Sequence, residues 1–294
     1  MPEPGPDPDP DPRTDLVIEP ALTALTTRLA PVNAGPVSDT LVTARLHCES
    51  DPELARLLAT HAGVILLRLR GALRGASAER LGAEGDQRAH EFLTAALRRL
   101  RPADAVLSEE GVDDPRRHHA DRVWIIDPLD GTREYAEPHR SDWAVHVALW
   151  VAGELVAGAV ALPGLGPTFS TEHPPETRRP VHQPVRMLIS RTRPPEYARA
   201  LADRIGAELM PMGSAGAKAM AVARGEADLY VHDGGLYEWD AAAPVAVARA
   251  AGLHASRVDG SPLRYNLPDP YQPDLLVCRP ELAGPTLAAL ASVR

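Results

Sequence analysis

The chain is short of aromatic side chains, of cysteine and of long apolar runs. Aromatics make up only 4% of its 294 residues, so Ala, Val and Leu must do most of the packing. Its two cysteines, Cys48 and Cys278, stand far apart, and neither belongs to a CxxC or CxxH pair. That argues against a zinc site and a disulfide framework, and two free thiols suit a reducing cytoplasm. The longest apolar stretches, such as 155–162, fall far short of the roughly 20 residues that cross a membrane. No basic segment followed by an apolar one opens the chain, so no secretory leader is expected. Positive charge is in deficit too, with a net charge of −9. A nucleic-acid groove needs the opposite sign. A small phosphorylated substrate remains allowed, because carboxylates can hold phosphate through divalent cations.

Apolar residues, at 44%, are enough for a real core in one large or two modest domains. Residues 1–12 alternate proline with acids and glycine, which predicts an extended, solvated tail. The expected organisation is a tail over 1–36, an N-terminal α+β half over 37–183 and a C-terminal α/β half over 184–294. The boundary falls in the Pro-, Glu- and His-rich stretch 172–184. Apolar spacing predicts helices over 53–70 and 86–100, with Asp86 as a candidate N-cap of the second. Strands are expected at 104–107 and 123–126, and a hairpin at 143–150 and 155–162 around Ala152-Gly153. Beyond the boundary come strand 185–189, helices 195–205 and 214–224, strand 227–232, helix 240–251, strand 274–278 and helix 284–292. That alternation reads as helices on a mostly parallel sheet.

The chemistry concentrates in Asp127-Pro128-Leu129-Asp130-Gly131-Thr132, two carboxylates at the end of a buried strand. Hard oxygen donors in a tight turn suit Mg²⁺. The Gly131 and Thr132 amides follow at once, where a turn could aim them at an anion. Taken alone this is more often an Asx turn, but it has company. Glu109 stands 18 positions earlier, after a short apolar strand, and Asp240 opens an Ala/Val-rich helix in Trp239-Asp240-Ala241-Ala242. Asp240 alone would be a helix cap; with the other two motifs it closes a carboxylate cluster.

Together, Glu109-Glu110, the Asp127–Thr132 motif and Trp239–Ala242 resemble the three signatures of the inositol monophosphatase superfamily, over roughly residues 37–290. Arg133-Glu134-Tyr135 is similar to the CysQ-type 3'(2'),5'-bisphosphate nucleotidases within it. The resemblance implies a layered α-β-α-β-α sugar-phosphatase fold with the site between its halves. It implies two Mg²⁺ ions: one on Glu109, Asp127 and the Leu129 carbonyl, the other on Asp127, Asp130 and Asp240. It further implies that Thr132 and Asp86 orient and deprotonate an attacking water, with Glu109 beside them, and that Gly131 and Thr132 hold the phosphate. Ser214 and Lys218 resemble a segment that contacts the nucleotide, and Lys218 is the expected partner of a second phosphate. The Lys and Thr that the family commonly has upstream of Asp86 are missing, which leaves a third ion open. Lithium inhibition and a place in sulfur assimilation are implied by the resemblance alone, and a homodimer is allowed by it.

Three histidines carry the bland reading. His146 lies on an apolar strand and is expected to be a core histidine, and His118-His119 is expected to face solvent. A haloacid-type phosphatase needs Asp-x-Asp, and the spacing here is Asp-x-x-Asp. Inositol phosphate or fructose 1,6-bisphosphate as substrate is the alternative within the superfamily. A catalytically inactive sensor of nucleotides or metals is the alternative outside enzymes.

Overall fold

Apolar side chains recurring every three to four residues build the first two helices of the computed structural model, which describes residues 50–176 and 180–294. The expected tail over 1–36 and Cys48 lie outside the described residues. Helix α1 (Asp51–Ala72) starts where the Ser50 hydroxyl accepts the Glu53 N–H, and it buries Leu54, Leu58, Ala62 and Leu66. Helix α2 runs over Ala78–Leu100 and is capped by Ser77. Asp86 is therefore mid-helix and not the N-cap expected from sequence. Gly82 and Gly85, residues that often break helices, lie inside this one at a close approach. An added Cβ at Gly82 would lie 2.7 Å from Thr132 Cγ2, and one at Gly85 2.8 Å from the Tyr135 ring.

The first sheet has the order β1-β2-β3-β4-β5, comprising β1 (Ala105–Ser108), β2 (Arg122–Asp130), β3 (Ala144–Val151), β4 (Glu154–Ala161) and β5 (Thr168–Ser170). Only β1 and β2 are parallel. A 3-10 turn (Pro115–His119) precedes β2, and a five-residue helix α3 (Thr132–Ala136) follows it. His118 and His119 are exposed on that turn, as expected, whereas Arg117 beside them is buried against Asp113 and Asn266.

The second sheet contains β6 (Val185–Ser190), β7 (Ala207–Met212), β8 (Leu229–Tyr237), β9 (His254–Ser256) and β10 (Tyr271–Cys278), in the order β7-β6-β8-β10-β9. Its helices are α4 (Ala198–Ile205), α5 (Ala215–Ala223), α6 (Glu238–Ala250) and α7 (Pro280–Val293). The expectation of a mostly parallel sheet needs correction. β6 is parallel to β7 and β8, but β10 is antiparallel to both β8 and β9. The short β9 lies at the edge, and the chain then doubles back so that β10 inserts beside β8. Three residues in β9 leave too little pattern to be read from sequence.

Helices α1 and α2 cover one face of the first sheet, α5 and α6 fill the space between the sheets, and α4 and α7 cover the far face of the second. This is the expected α-β-α-β-α order. The inner layer is built of Ala and Val from α5 and α6, small enough to pack against both sheets where aromatics are scarce.

Candidate metal and phosphate site

Strand β2 carries the apolar run Val123–Ile126 through the core into Asp127. Strict strand alternation would send Asp127 and Asp130, three apart, to opposite faces. The β2–β3 register shifts between them, and both aspartates line one pocket of about 370 Å³. Asp240 enters from the other side, third in α6, where its Oδ2 accepts the Tyr237 N–H at 2.7 Å. It thus also caps its helix. One oxygen from each of Asp127, Asp130 and Asp240 lies within 4.8 Å of the others. Glu109, just past β1, stands at the exposed lip of the same pocket, close to Asp127.

Crowding shifts these carboxyls apart. Loss of water, then the charges of Glu109, Asp130 and Asp240, push Asp127 well above the usual range. Asp240 is pushed up to about 7 by burial and by Asp130, against the Tyr237 N–H. Glu109 is likewise pushed up to about 7, by loss of water first and by its acidic neighbours. Asp130 goes the other way. Burial alone would raise it, but His146, the Ser214 hydroxyl and Lys218 together hold it below the ordinary value. Asp127 Oδ1 accepts the Leu129 N–H at 3.0 Å, while its buried Oδ2 has no hydrogen-bond partner among the described residues, with His146 Nδ1 at 3.8 Å. An unpartnered buried carboxylate oxygen facing three other carboxylates fits a divalent cation, and an all-oxygen donor set fits a hard one.

Asp86 meets Thr132, which lines the pocket. The Thr132 hydroxyl lies 3.3 Å from Asp86 Oδ1 and 3.2 Å from the Leu129 carbonyl. Asp86 is pushed up to about 7, mainly by burial and then by Glu110, although the Thr132 hydroxyl lowers it. Gly131 caps α3 in the left-handed conformation, so Thr132 opens that short helix at the pocket wall.

The other sequence-predicted residues are present with different partners. Ser214 caps α5 by accepting the Ala217 N–H, and its hydroxyl donates to Asp130 Oδ2. Lys218 is the only lysine in the chain and is 3% exposed. Its ammonium donates to the carbonyls of Met212, Gly213 and Ser214 at 3.4, 3.2 and 2.6 Å, so its three protons all have acceptors inside the protein. Burial lowers it to about 8, against the pull of Asp130. Arg191 pairs with Glu134 at 2.7 Å and with Glu137 at 2.7 Å. Arg193 also lines the pocket, and among the described residues its guanidinium forms no hydrogen bond or ion pair; it lies over Gly235.

One contact was missed at the sequence level. His146 is buried, as expected of a core histidine, but it stands opposite Asp127 in the β2–β3 register and its Nε2 lies 3.2 Å from Asp130 Oδ2. The usable signal was a lone polar residue within an apolar strand that pairs with the aspartate-bearing one.

The sequence profile described as the inositol monophosphatase family matches residues 52–292. A 3'-phosphoadenosine 5'-phosphate phosphatase of Mycobacterium bovis is 49% identical over 238 residues, covering 78% of this chain and 89% of that protein. The 3'(2'),5'-bisphosphate nucleotidase CysQ of Escherichia coli is 32% identical over 193 residues, covering 61% of this chain and 77% of its own. Among solved structures, CysQ from Bacteroides thetaiotaomicron aligns with a TM-score of 0.67 at 28% identity, covering 80% of this chain and 98% of that one.

Proposed function

The chain belongs to the inositol monophosphatase family, and from that membership we propose that it is a Mg²⁺-dependent phosphatase that converts 3'-phosphoadenosine 5'-phosphate to AMP in the cytoplasm. The observation that carries the reading is the carboxylate cluster around the unpartnered Asp127 oxygen, in a chain 49% identical to a mycobacterial protein of that name. Glu109, Asp127 and the Leu129 carbonyl would hold one ion, and Asp127, Asp130 and Asp240 a second. When bound, such ions would neutralise phosphate charge and make water a better nucleophile.

The protein's own groups supply the rest. Thr132 orients the attacking water. As the water oxygen bonds to phosphorus and the bond to the 3' oxygen breaks, the water's proton passes to Thr132 Oγ1 and the Thr132 proton to Asp86. The departing alkoxide takes a proton from solvent. A carboxyl near pKa 7 is matched to that duty at neutral pH. Gly131 and Thr132 cradle the reacting phosphate, and Ser214 supports Asp130 from behind. The second phosphate of the nucleotide needs a cation with donors to spare, and Arg193 meets that condition better than Lys218.

The test is phosphate release from 3'-phosphoadenosine 5'-phosphate, inositol 1-phosphate and fructose 1,6-bisphosphate, compared by kcat/KM with Mg²⁺ and with a chelator. The nucleotide should lead and the chelator should abolish release. A lead for either sugar phosphate overturns the substrate, and turnover in chelator overturns the metal.

A further inference from the structure

We infer that His146 is a positioning residue for Asp130, holding one oxygen of that carboxylate so that the other is presented to the divalent cation. The inference rests on the reading of Asp130 as a metal ligand.

The geometry is specific. His146 is fully buried in the middle of β3. Its Nδ1 lies 3.1 Å from the carbonyl of Trp239, the residue before Asp240, and its Nε2 lies 3.2 Å from Asp130 Oδ2. Nδ1 is thus within hydrogen-bond reach of the backbone beside Asp240, while Nε2 stands close against Asp130 Oδ2 without hydrogen-bond geometry, so one ring lies between the Asp130 side chain and that backbone. The same Oδ2 also accepts the Ser214 hydroxyl and, at 2.8 Å, the Gly216 N–H. None of these three contacts uses Oδ1. The ring has no room to turn aside, because a Cβ at residue 216 would stand 2.1 Å from Nε2. Only glycine lets α5 close over the imidazole. A core histidine with a purely packing role would need neither a ring nitrogen 3.2 Å from the Asp130 carboxylate nor a glycine above it. Partners that orient a metal ligand in this way typically change metal affinity by about 10–100-fold when removed.

Three variants separate orientation from packing. His146→Gln can place an amide N–H near the Nε2 position. His146→Asn reaches only the Nδ1 position and keeps the Trp239 contact. His146→Leu fills space with no donor. Two readouts are taken on the full chain: the Mg²⁺ concentration for half-maximal activity, and the melting-temperature rise that Mg²⁺ produces without substrate. His146→Leu and His146→Asn should each raise the half-maximal Mg²⁺ by about 10-fold or more and shrink the thermal rise, and His146→Gln should recover most of both. If His146→Leu fails to fold, the comparison of Asn with Gln decides. Wild-type Mg²⁺ dependence in the Asn or Leu variant, or no advantage of Gln over Asn, overturns the inference while leaving the metal reading intact. Absence of any Mg²⁺ effect on the unsubstituted protein overturns both.

Discussion

At the scale of single residues, the site divides into groups that face the pocket and groups that hold them. Asp130→Asn tests the first kind. An asparagine oxygen can still accept from Ser214 and Gly216, so the fold should persist. The lost negative charge should lower kcat by ~10²-fold or more, the scale of removed electrostatic stabilisation, measured at saturating Mg²⁺. Lys218 tests the second kind. A compact ammonium fits a cage of three carbonyls from consecutive residues, whereas a planar guanidinium does not, which accounts for a lysine in an otherwise arginine-using chain. Lys218→Met should lower stability by about 1.5–3 kcal/mol, the range for hydrogen bonds to a charged group, and should hurt the nucleotide and inositol 1-phosphate alike. Arg193→Ala should leave stability nearly unchanged and lower kcat/KM for the nucleotide ~10- to 100-fold more than for inositol 1-phosphate. Equal losses from Arg193→Ala would return the second phosphate to another cation.

At the scale of elements, helix α2 sets the distance between Asp86 and Thr132. Gly82 and Gly85 let its backbone lie against Thr132, Leu129 and Tyr135. Gly82→Ala places a methyl 2.7 Å from Thr132 Cγ2, so the helix or the threonine must move. We expect kcat to fall ~10²-fold with little change in KM, because a displacement of about 1 Å has that effect on a positioned group. Combined with Asp86→Asn, the loss should be much less than the product of the two. A multiplicative loss would separate the helix position from the Asp86 duty. These glycines also show where sequence reading stops. The Asp127–Thr132 turn, Glu109 and Asp240 were legible because each ends a strand or opens a helix with a recognisable apolar flank. The start of α2 was not, because a glycine kept for close approach looks the same as one that ends a helix. Strand β7 (Ala207–Met212) was missed for a related reason: it is an edge strand with only partly buried side chains, so its pattern is weak. His146 was read as core, correctly for burial, but strand register is needed to see that it faces Asp127.

At the scale of the whole molecule, the two sheets meet where like charges are concentrated. Segments following β6 and β7 reach across to the first sheet's site. Ser214 and Gly216 hold Asp130, the Gly213 N–H donates to Asp142 at 2.7 Å, and Arg191 pairs with Glu134. Glu109, Asp127, Asp130 and Asp240 line one cleft there, with Asp86 close by, and stability must depend on what neutralises them. Asp86, Glu109 and Asp240 each have a folded-state pKa pushed up to about 7, and Asp127 is also raised well above the usual carboxylate range. Unfolded, they would titrate near 4. A raised carboxyl binds its proton more tightly in the folded state. Its contribution is therefore complete below about pH 4 and is lost as pH rises toward 7. In chelator, the melting temperature should fall between about pH 5 and pH 8. A divalent cation replaces those protons, so Mg²⁺ should add little at pH 5, where protons compete for the same oxygens, and most at pH 8. Differential scanning fluorimetry at both pH values, with Mg²⁺ and with chelator, measures the four numbers required. A Mg²⁺-induced rise as large at pH 5 as at pH 8 would mean that the cation does not bind at these carboxylates.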